Sequence, residues 1–293
     1  MEASLPLIIS QSTPLFLTGV FVFGLLLGSF LNVVILRVPA RLFHDWRSQC
    51  SDLLELKDDE QPEKPPNILW NRSRCPDCGH LIAGHENIPV LSYLFLGGKC
   101  ASCKENISIR YPVTELITAV LFTVAAWHFG PTTQLLAALV LTGLLIALTG
   151  IDIDHQLLPD GLTLPLLWIG LIFSLFNVFV DPVASIVGAV AGYLSLWIIF
   201  QLFKLLTGKE GMGYGDFKLL AALGAWMGWQ MLPIIVLFSS LVGAIVGIVL
   251  MGLKKHQSGQ PMPFGPFIAA AGWIALIWGD KIISLYFSAS GLA

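Results

Sequence analysis

The residues best placed to do chemistry in this sequence are four aspartates at the rims of apolar stretches. Asp152, Asp154 and Asp160 fall within Thr149–Asp160, and Asp216 follows a glycine-rich turn in Gly211-Met-Gly-Tyr-Gly-Asp-Phe-Lys218. An ionisable group at the edge of hydrocarbon is costly to keep, so such a residue is a functional candidate by default. Two facing carboxylates cannot readily both ionise at close range; one then acts as base toward water and the other as acid toward a peptide. Asp152 and Asp216 are the pair expected to do this, which is aspartyl protease chemistry. Gly213 and Gly215 support that assignment, because they leave the backbone before Asp216 free to bend and approach a substrate strand closely. Asp154 and Asp160 read better as polar caps of helix ends, Asp160 being placed to cap the helix that follows it. His155 reads as an interfacial residue, with no second histidine at metal spacing.

A second constellation lies in the only sizeable polar stretch. Cys75-Pro-Asp-Cys78 and Cys100-Ala-Ser-Cys103 form two C-x-x-C pairs, slightly farther apart than in the usual four-cysteine zinc site. Two knuckles supply four soft ligands for a tetrahedral ion, and so small a loop has too few apolar residues to hold itself together without a staple. The expectation is one structural Zn²⁺ per chain on Cys75, Cys78, Cys100 and Cys103. The alternative is a pair of disulfides. Cys50 is a spare thiol.

The elements that must position these groups are membrane helices. The chain has 293 residues, is 55% hydrophobic and 12% charged, and its mean hydropathy is +0.77. That composition calls for a bilayer as solvent, against the roughly 25% charged content of ordinary soluble domains. Net charge is −3 with dispersed cations, which gives no footprint for nucleic acid. Residues 14–36 form a charge-free apolar run long enough to cross the membrane, read as a retained first span. Further runs at 112–129, 134–151, 161–180, 183–203, 217–231, 232–252 and 264–287 bring the expected total to about eight transmembrane helices. The run after Asp216 is short and broken, so it and the next could instead pair as a re-entrant hairpin.

Ten of the sixteen Lys and Arg residues lie between Arg37 and Arg110. By the positive-inside rule that loop is cytoplasmic and the amino terminus periplasmic. Eight spans then put Lys204, Lys209, Lys254 and Lys255 on the same side, and both aspartate stretches at one membrane face. The expected organisation is an all-α polytopic membrane protein in three parts. Residues 1–36 hold the periplasmic terminus and first span, 37–111 the cytoplasmic loop with its zinc knuckles, and 112–293 a seven-helix protease core. Within the loop, the acidic stretch 52–66 reads as a mobile linker or short surface helix.

Taken together the motifs closely resemble the type IV prepilin leader peptidases, bifunctional inner-membrane enzymes of the GxGD aspartyl protease class. The likeness includes Gly28-Ser-Phe-Leu-Asn-Val-Val34, both cysteine knuckles, the Asp152–Asp160 stretch, Gly213-Tyr-Gly-Asp-Phe-Lys-Leu219 and Pro263-Phe-Gly-Pro-Phe267. The resemblance implies catalysis by Asp152 and Asp216, zinc on the four named cysteines, and an active site facing the cytoplasm. It implies leader cleavage from type IV prepilins and type II secretion pseudopilins, followed by methylation of the new amino terminus with S-adenosylmethionine. It also points to Gly98 and Lys99 for methyl transfer, an activity that no motif here announces independently. The competing readings are a proton-coupled transporter with a zinc-stapled loop, and a zinc-knuckle scaffold without chemistry.

Overall fold

The computed structural model describes residues 13–54, 64–209, 211–253 and 262–290. Within them the chain is helical apart from two isolated β-bridges. It divides into two compact units, Met1–Pro131 and Thr132–Ala293.

The first unit is built on α1 (Thr13–Leu53) and α3 (Arg110–Phe129), with the polar segment and a short α2 (Leu91–Phe95) between them. The buried positions of α1, including Gly24, Gly28, Leu31, Asn32, Ile35 and Pro39, recur at helical spacing and form one stripe. That stripe packs antiparallel on α3, and small residues set how close the backbones come. A Cβ on Gly24 would stand 2.6 Å from Ala119 Cα, and one on Gly28 2.7 Å from Glu115 Cα. One turn farther on, Asn32 Nδ2 donates to Tyr111 O at 3.1 Å. The helix does not stop at the end of the apolar run: α1 continues through Pro39 to Leu53. Arg37, in this extension, donates to the carbonyls of Asn67 and Asn71 and so fastens the returning loop. Of the acidic stretch 52–66, residues 55–63 lie outside the described residues, as do Lys254 and Lys255.

The second unit contains α4 (Thr133–His155), α5 (Asp160–Ser174), α6 (Pro182–Thr207), α7 (Tyr214–Met227), α8 (Leu232–Gly252) and α9 (Gly265–Ser290). Local chemistry starts two of them: Thr132 caps α4 by accepting from Leu135 N, and Asp181 Oδ1 accepts from Val183 N and Ala184 N ahead of α6. Six helices in the described residues are long and apolar enough to cross a membrane. With α5 and α7 these make eight, in accord with the expected all-helical polytopic fold. The expected run 161–180 is shorter than its composition suggests, since α5 ends at Ser174 and turns follow.

α7 is the axis of this unit. At 14 residues it is about 21 Å long, too short to cross roughly 30 Å of hydrocarbon alone, and every residue from Asp216 to Met227 except Lys218 is buried. It packs against α5, α6 and α9. Gly188 of α6 and Gly224 of α7 bring the two backbones into direct contact, where a Cβ on either would overlap the other's carbonyl. Trp226 fills the space toward α5: its indole N–H donates to Leu166 O at 2.8 Å, and its ring lies over Gly170. Protein on every side meets the polar needs of a short helix that lipid could not meet at its ends.

Candidate functional site

The two principal carboxylates converge from opposite helix ends. Asp152 lies in the last turn of α4, where Gln156 takes a left-handed conformation (φ +52°) and donates its N–H to Asp152 O at 2.8 Å, ending the helix. Asp216 sits in the first turn of α7, its N–H bonded to Gly213 O. Both side chains are buried, Asp152 5% and Asp216 7% exposed. A third helix joins them. Gly265 N–H, at the start of α9, donates to Asp152 Oδ2 at 2.9 Å. Asp216 thus stands in the first turn of α7, while Asp152, in the last turn of α4, reaches across to the amino-terminal end of α9.

Leu158, in the connection from α4 to α5, explains two of the glycines. A Cβ on Gly215 would lie 2.7 Å from Leu158 Cβ, and one on Gly265 would lie 2.7 Å from Asp152 Oδ2 and 3.1 Å from Leu158 Cδ2. Gly213 differs: it is the N-cap of α7 in an ordinary extended conformation, and its added Cβ would make no contact closer than 3.8 Å, to Asp216 Oδ2. On the α6 side the rings of Tyr214 and Phe217 pack on Phe200 at 5.5 and 5.6 Å, fixing the first turn of α7.

Asp160 does not cap α5. Pro159 holds the N-cap position, without a side-chain bond, and Asp160 instead accepts from Lys218 Nζ at 2.6 Å. This pair ties the start of α5 to the start of α7. Asp154 and His155 are exposed on α4 beyond Asp152. Gly265, Leu158 and Lys218 join the site only through tertiary contacts, although all three lie in stretches that carry the family resemblance.

The cysteines assemble in the first unit. Each knuckle is a miniature hairpin closed by one bridge, Arg74 with Leu81 and Lys99 with Asn106. Cys75 N donates to His80 O and Cys100 N to Glu105 O, with Gly79 and Lys104 at left-handed φ in the equivalent turn positions. The four Sγ atoms lie within 4.8 Å of one another, with Cys75 to Cys103 at 3.8 Å and Cys78 to Cys100 at 4.0 Å, and none is in a disulfide. They could hold a metal ion. The backbone N–H groups of Cys103 and Ser102 lower the pKa of the Cys100 thiol, while burial and the neighbouring thiols raise that of Cys103. Between the knuckles Glu86 accepts from Ala83 N at 2.8 Å and pairs with His80 at 3.1 Å, and the Ala83 bond holds its carboxyl below the usual range. Cys50 is exposed on α1 and takes no part in the cluster.

Gly98 and Lys99 open the second knuckle. Gly98 is buried at φ +69°, donates to Tyr93 O, accepts from Ile107 N, and leaves only 3.0 Å between a would-be Cβ and the Tyr93 ring. Lys99 is exposed.

Comparison with known proteins matches both parts of the chain. The profile of the bacterial peptidase A24 N-terminal domain covers residues 22–129, and that of the type IV leader peptidase family covers 139–248. A relative from Pseudomonas aeruginosa named prepilin leader peptidase/N-methyltransferase is 56% identical over 92% of each chain. Relatives of the same name from Aeromonas hydrophila and Dichelobacter nodosus are 54% and 50% identical, over 93% and 94% of this chain and 94% and 96% of theirs. No solved structure matches the chain.

Proposed function

The chain belongs to the type IV leader peptidase family, and on that premise we propose that it removes the leader peptide from prepilins and then methylates the exposed amino terminus. The observation that carries the peptidase half is the convergence of Asp152 and Asp216 in a buried site at three helix ends. One carboxylate takes a proton from water as the water oxygen attacks the scissile carbonyl; the other, protonated, gives its proton to the departing amine. The Gly265 N–H holds Asp152 in place for this step. Gly213 and Gly215 shape the approach to Asp216. A transporter is not what the relatives' names describe, and carboxylates gathered at one group of helix ends give no path across the bilayer.

The chain is a multi-pass membrane protein. We place it in the inner membrane with its amino terminus in the periplasm and its site facing the cytoplasm, where the cation-rich segment lies. Substrates include pseudopilins of type II secretion as well as prepilins, since an apolar segment held in the bilayer and a cleavage site at its edge are the features such a site can read. Mass spectrometry of a purified prepilin incubated with this protein and S-adenosylmethionine tests the reading. The expected product has lost its leader and gained one methyl group; an unchanged substrate mass rejects it.

The four-cysteine cluster fits Zn²⁺. A tetrahedron of Zn–S bonds of about 2.3 Å has S···S edges of about 3.8 Å, close to the 3.8 and 4.0 Å observed. The ion would act as a crosslink between the two hairpins. Elemental analysis should find one zinc per chain. The double variant Cys75→Ser, Cys78→Ser should lose it and become readily cut by protease between Arg72 and Asn106.

Methyl transfer is assigned to the turn at Gly98 and Lys99. S-adenosylmethionine as donor supplies an electrophilic methyl group; Gly98 keeps the turn closed against Tyr93 and so sets where Lys99 stands. Gly98→Val places a β-branched residue at left-handed φ and drives its Cβ into the Tyr93 ring. Backbone strain of that kind costs roughly 1–3 kcal/mol. Methylation of a substrate supplied without its leader should fall roughly tenfold or more, while cleavage stays near the parent rate because neither aspartate is in that unit. Parallel loss of both activities with zinc retained would mean one shared site.

A further inference from the structure

The segment Ile88–Leu96 (Ile-Pro-Val-Leu-Ser-Tyr-Leu-Phe-Leu) is uncharged and strongly apolar, yet it lies within the polar stretch between two membrane helices. Its helix α2 turns an apolar face outward: Leu91, Leu94 and Phe95, at helical spacing, are exposed, Phe95 to 86% and Leu94 to 66%. A face of this kind left in water opposes folding, because each large apolar side chain gains by leaving it.

The register of the first unit fixes the depth at which this face lies. Gly28 of α1 packs on Glu115 of α3, and Asn32 bonds to Tyr111 O. Both α1 residues belong to the charge-free run that ends at Leu36, and Gly28 precedes Arg37, the first cation, by about 13 Å of helix. The first turns of α3 therefore stand beside the last turns of that run, where the span meets the membrane surface. Glu115 is buried, and its Oε2 accepts the Val90 N–H at 2.7 Å. A helical side chain leans toward its helix's amino terminus, so Val90, the N-cap of α2, is pinned beside the first turns of α3 and not out in the loop. Val90 is held there at φ +62°, a conformation a β-branched residue adopts only when its surroundings impose it.

We propose that α2 is an interfacial membrane anchor, its Leu91, Leu94 and Phe95 seated in the lipid headgroup and upper acyl region, with Glu115 as the buried tether that sets its depth. Around the same level α1 and α3 also expose apolar side chains, Phe30 on α1 and Val113, Leu116 and Ile117 on α3, and the Glu115 tether lets five residues hold a position that a free peptide of that length could not. Gly98 and Lys99 follow α2 directly, so the anchor would keep them at the bilayer surface, where the amino terminus of a substrate with an apolar segment emerges. That consequence rests on the proposed role of Gly98 and Lys99; the anchoring does not.

The test uses the full-length protein in nanodiscs of phosphatidylethanolamine and phosphatidylglycerol, with a benzophenone-bearing phenylalanine in place of Phe95, or of Glu105 on the second knuckle as control. After irradiation, the chain substituted at 95 is expected to carry the mass of one phospholipid on the peptide containing that position, several-fold more often than the chain substituted at 105. Equal labelling at both positions, no lipid adduct at 95, or an adduct to a second copy or an added prepilin would each overturn the proposal. Glu115→Ala should lower the lipid adduct at 95 several-fold with zinc content unchanged, and Glu115→Gln, whose amide oxygen can still accept from Val90, should restore it. Labelling unaffected by Glu115→Ala would remove Glu115 as the tether. If lipid labelling holds while Lys99→Ala methylates normally, the anchor stands and the methyl-transfer assignment fails.

Discussion

Asp216→Asn is expected to reduce leader cleavage by on the order of 10²–10⁴-fold, the range that loss of a general acid or base produces, without unfolding the protein. Asparagine keeps the volume of the side chain, so the packing of Tyr214 and Phe217 on Phe200 and the burial of α7 are preserved. What is lost is a group that can take and return a proton. Asp152→Asn should lose as much activity for the same reason, since its amide oxygen can still accept the Gly265 N–H and only the proton-transferring group is gone. Asp154→Asn, on an exposed residue, should retain most activity. The measurement is single-turnover cleavage in detergent, with helicity and membrane insertion followed in parallel. Near-parental cleavage by either of the first two variants would show that the pair is misassigned. Both should still methylate a substrate whose leader has already been removed.

Gly265→Val is expected to be almost as damaging to cleavage, although position 265 carries no reactive group. Its Cβ would stand 2.7 Å from Asp152 Oδ2 and 3.1 Å from Leu158, so either the carboxylate or the start of α9 must move. Displacing one member of a carboxylate pair by about 1 Å can cost on the order of 10²-fold in rate. Gly265→Ala brings the same first carbon with less bulk beyond it and should fall between Gly265→Val and the parent. The readout that separates lost positioning from lost folding is methylation of the leaderless substrate together with thermal stability. Cleavage should collapse in Gly265→Val while methylation persists. Parental cleavage by Gly265→Val would show that the contact between α9 and Asp152 has no part in catalysis.

The sequence by itself determined the helices and the local motifs, because both follow from short-range chemistry. A bilayer requires a long unbroken apolar run wherever a helix crosses it, so the runs could be read directly. The C-x-x-C knuckles place two thiols within one turn of backbone, and their pairing into a four-sulfur cluster followed from ligand count. Asp152 and Asp216 were also legible, because an aspartate among apolar residues stands out wherever it occurs. The end of α1 was less so: a change from apolar to polar side chains at Arg37 marks where lipid stops, not where helical hydrogen bonding stops, and α1 runs on to Leu53.

Tertiary structure alone decided the partners. Asp160 reads as a cap because a cap is the partner its own neighbours offer; the folded chain offers Lys218, and the charge-assisted bond wins. The donation from Gly265 to Asp152 links residues more than a hundred positions apart, and no spacing rule reaches that far. The need for glycine at 215 comes from Leu158, and at 265 from Asp152 with Leu158 behind it, an ordinary leucine whose importance lies only in where packing puts it. The same holds for Glu115, whose carboxylate meets the Val90 N–H twenty-five positions away. Side-chain type and spacing reveal which groups can react or bind, whereas the contacts that aim them depend on close packing between helices distant in sequence, and only the folded chain specifies those.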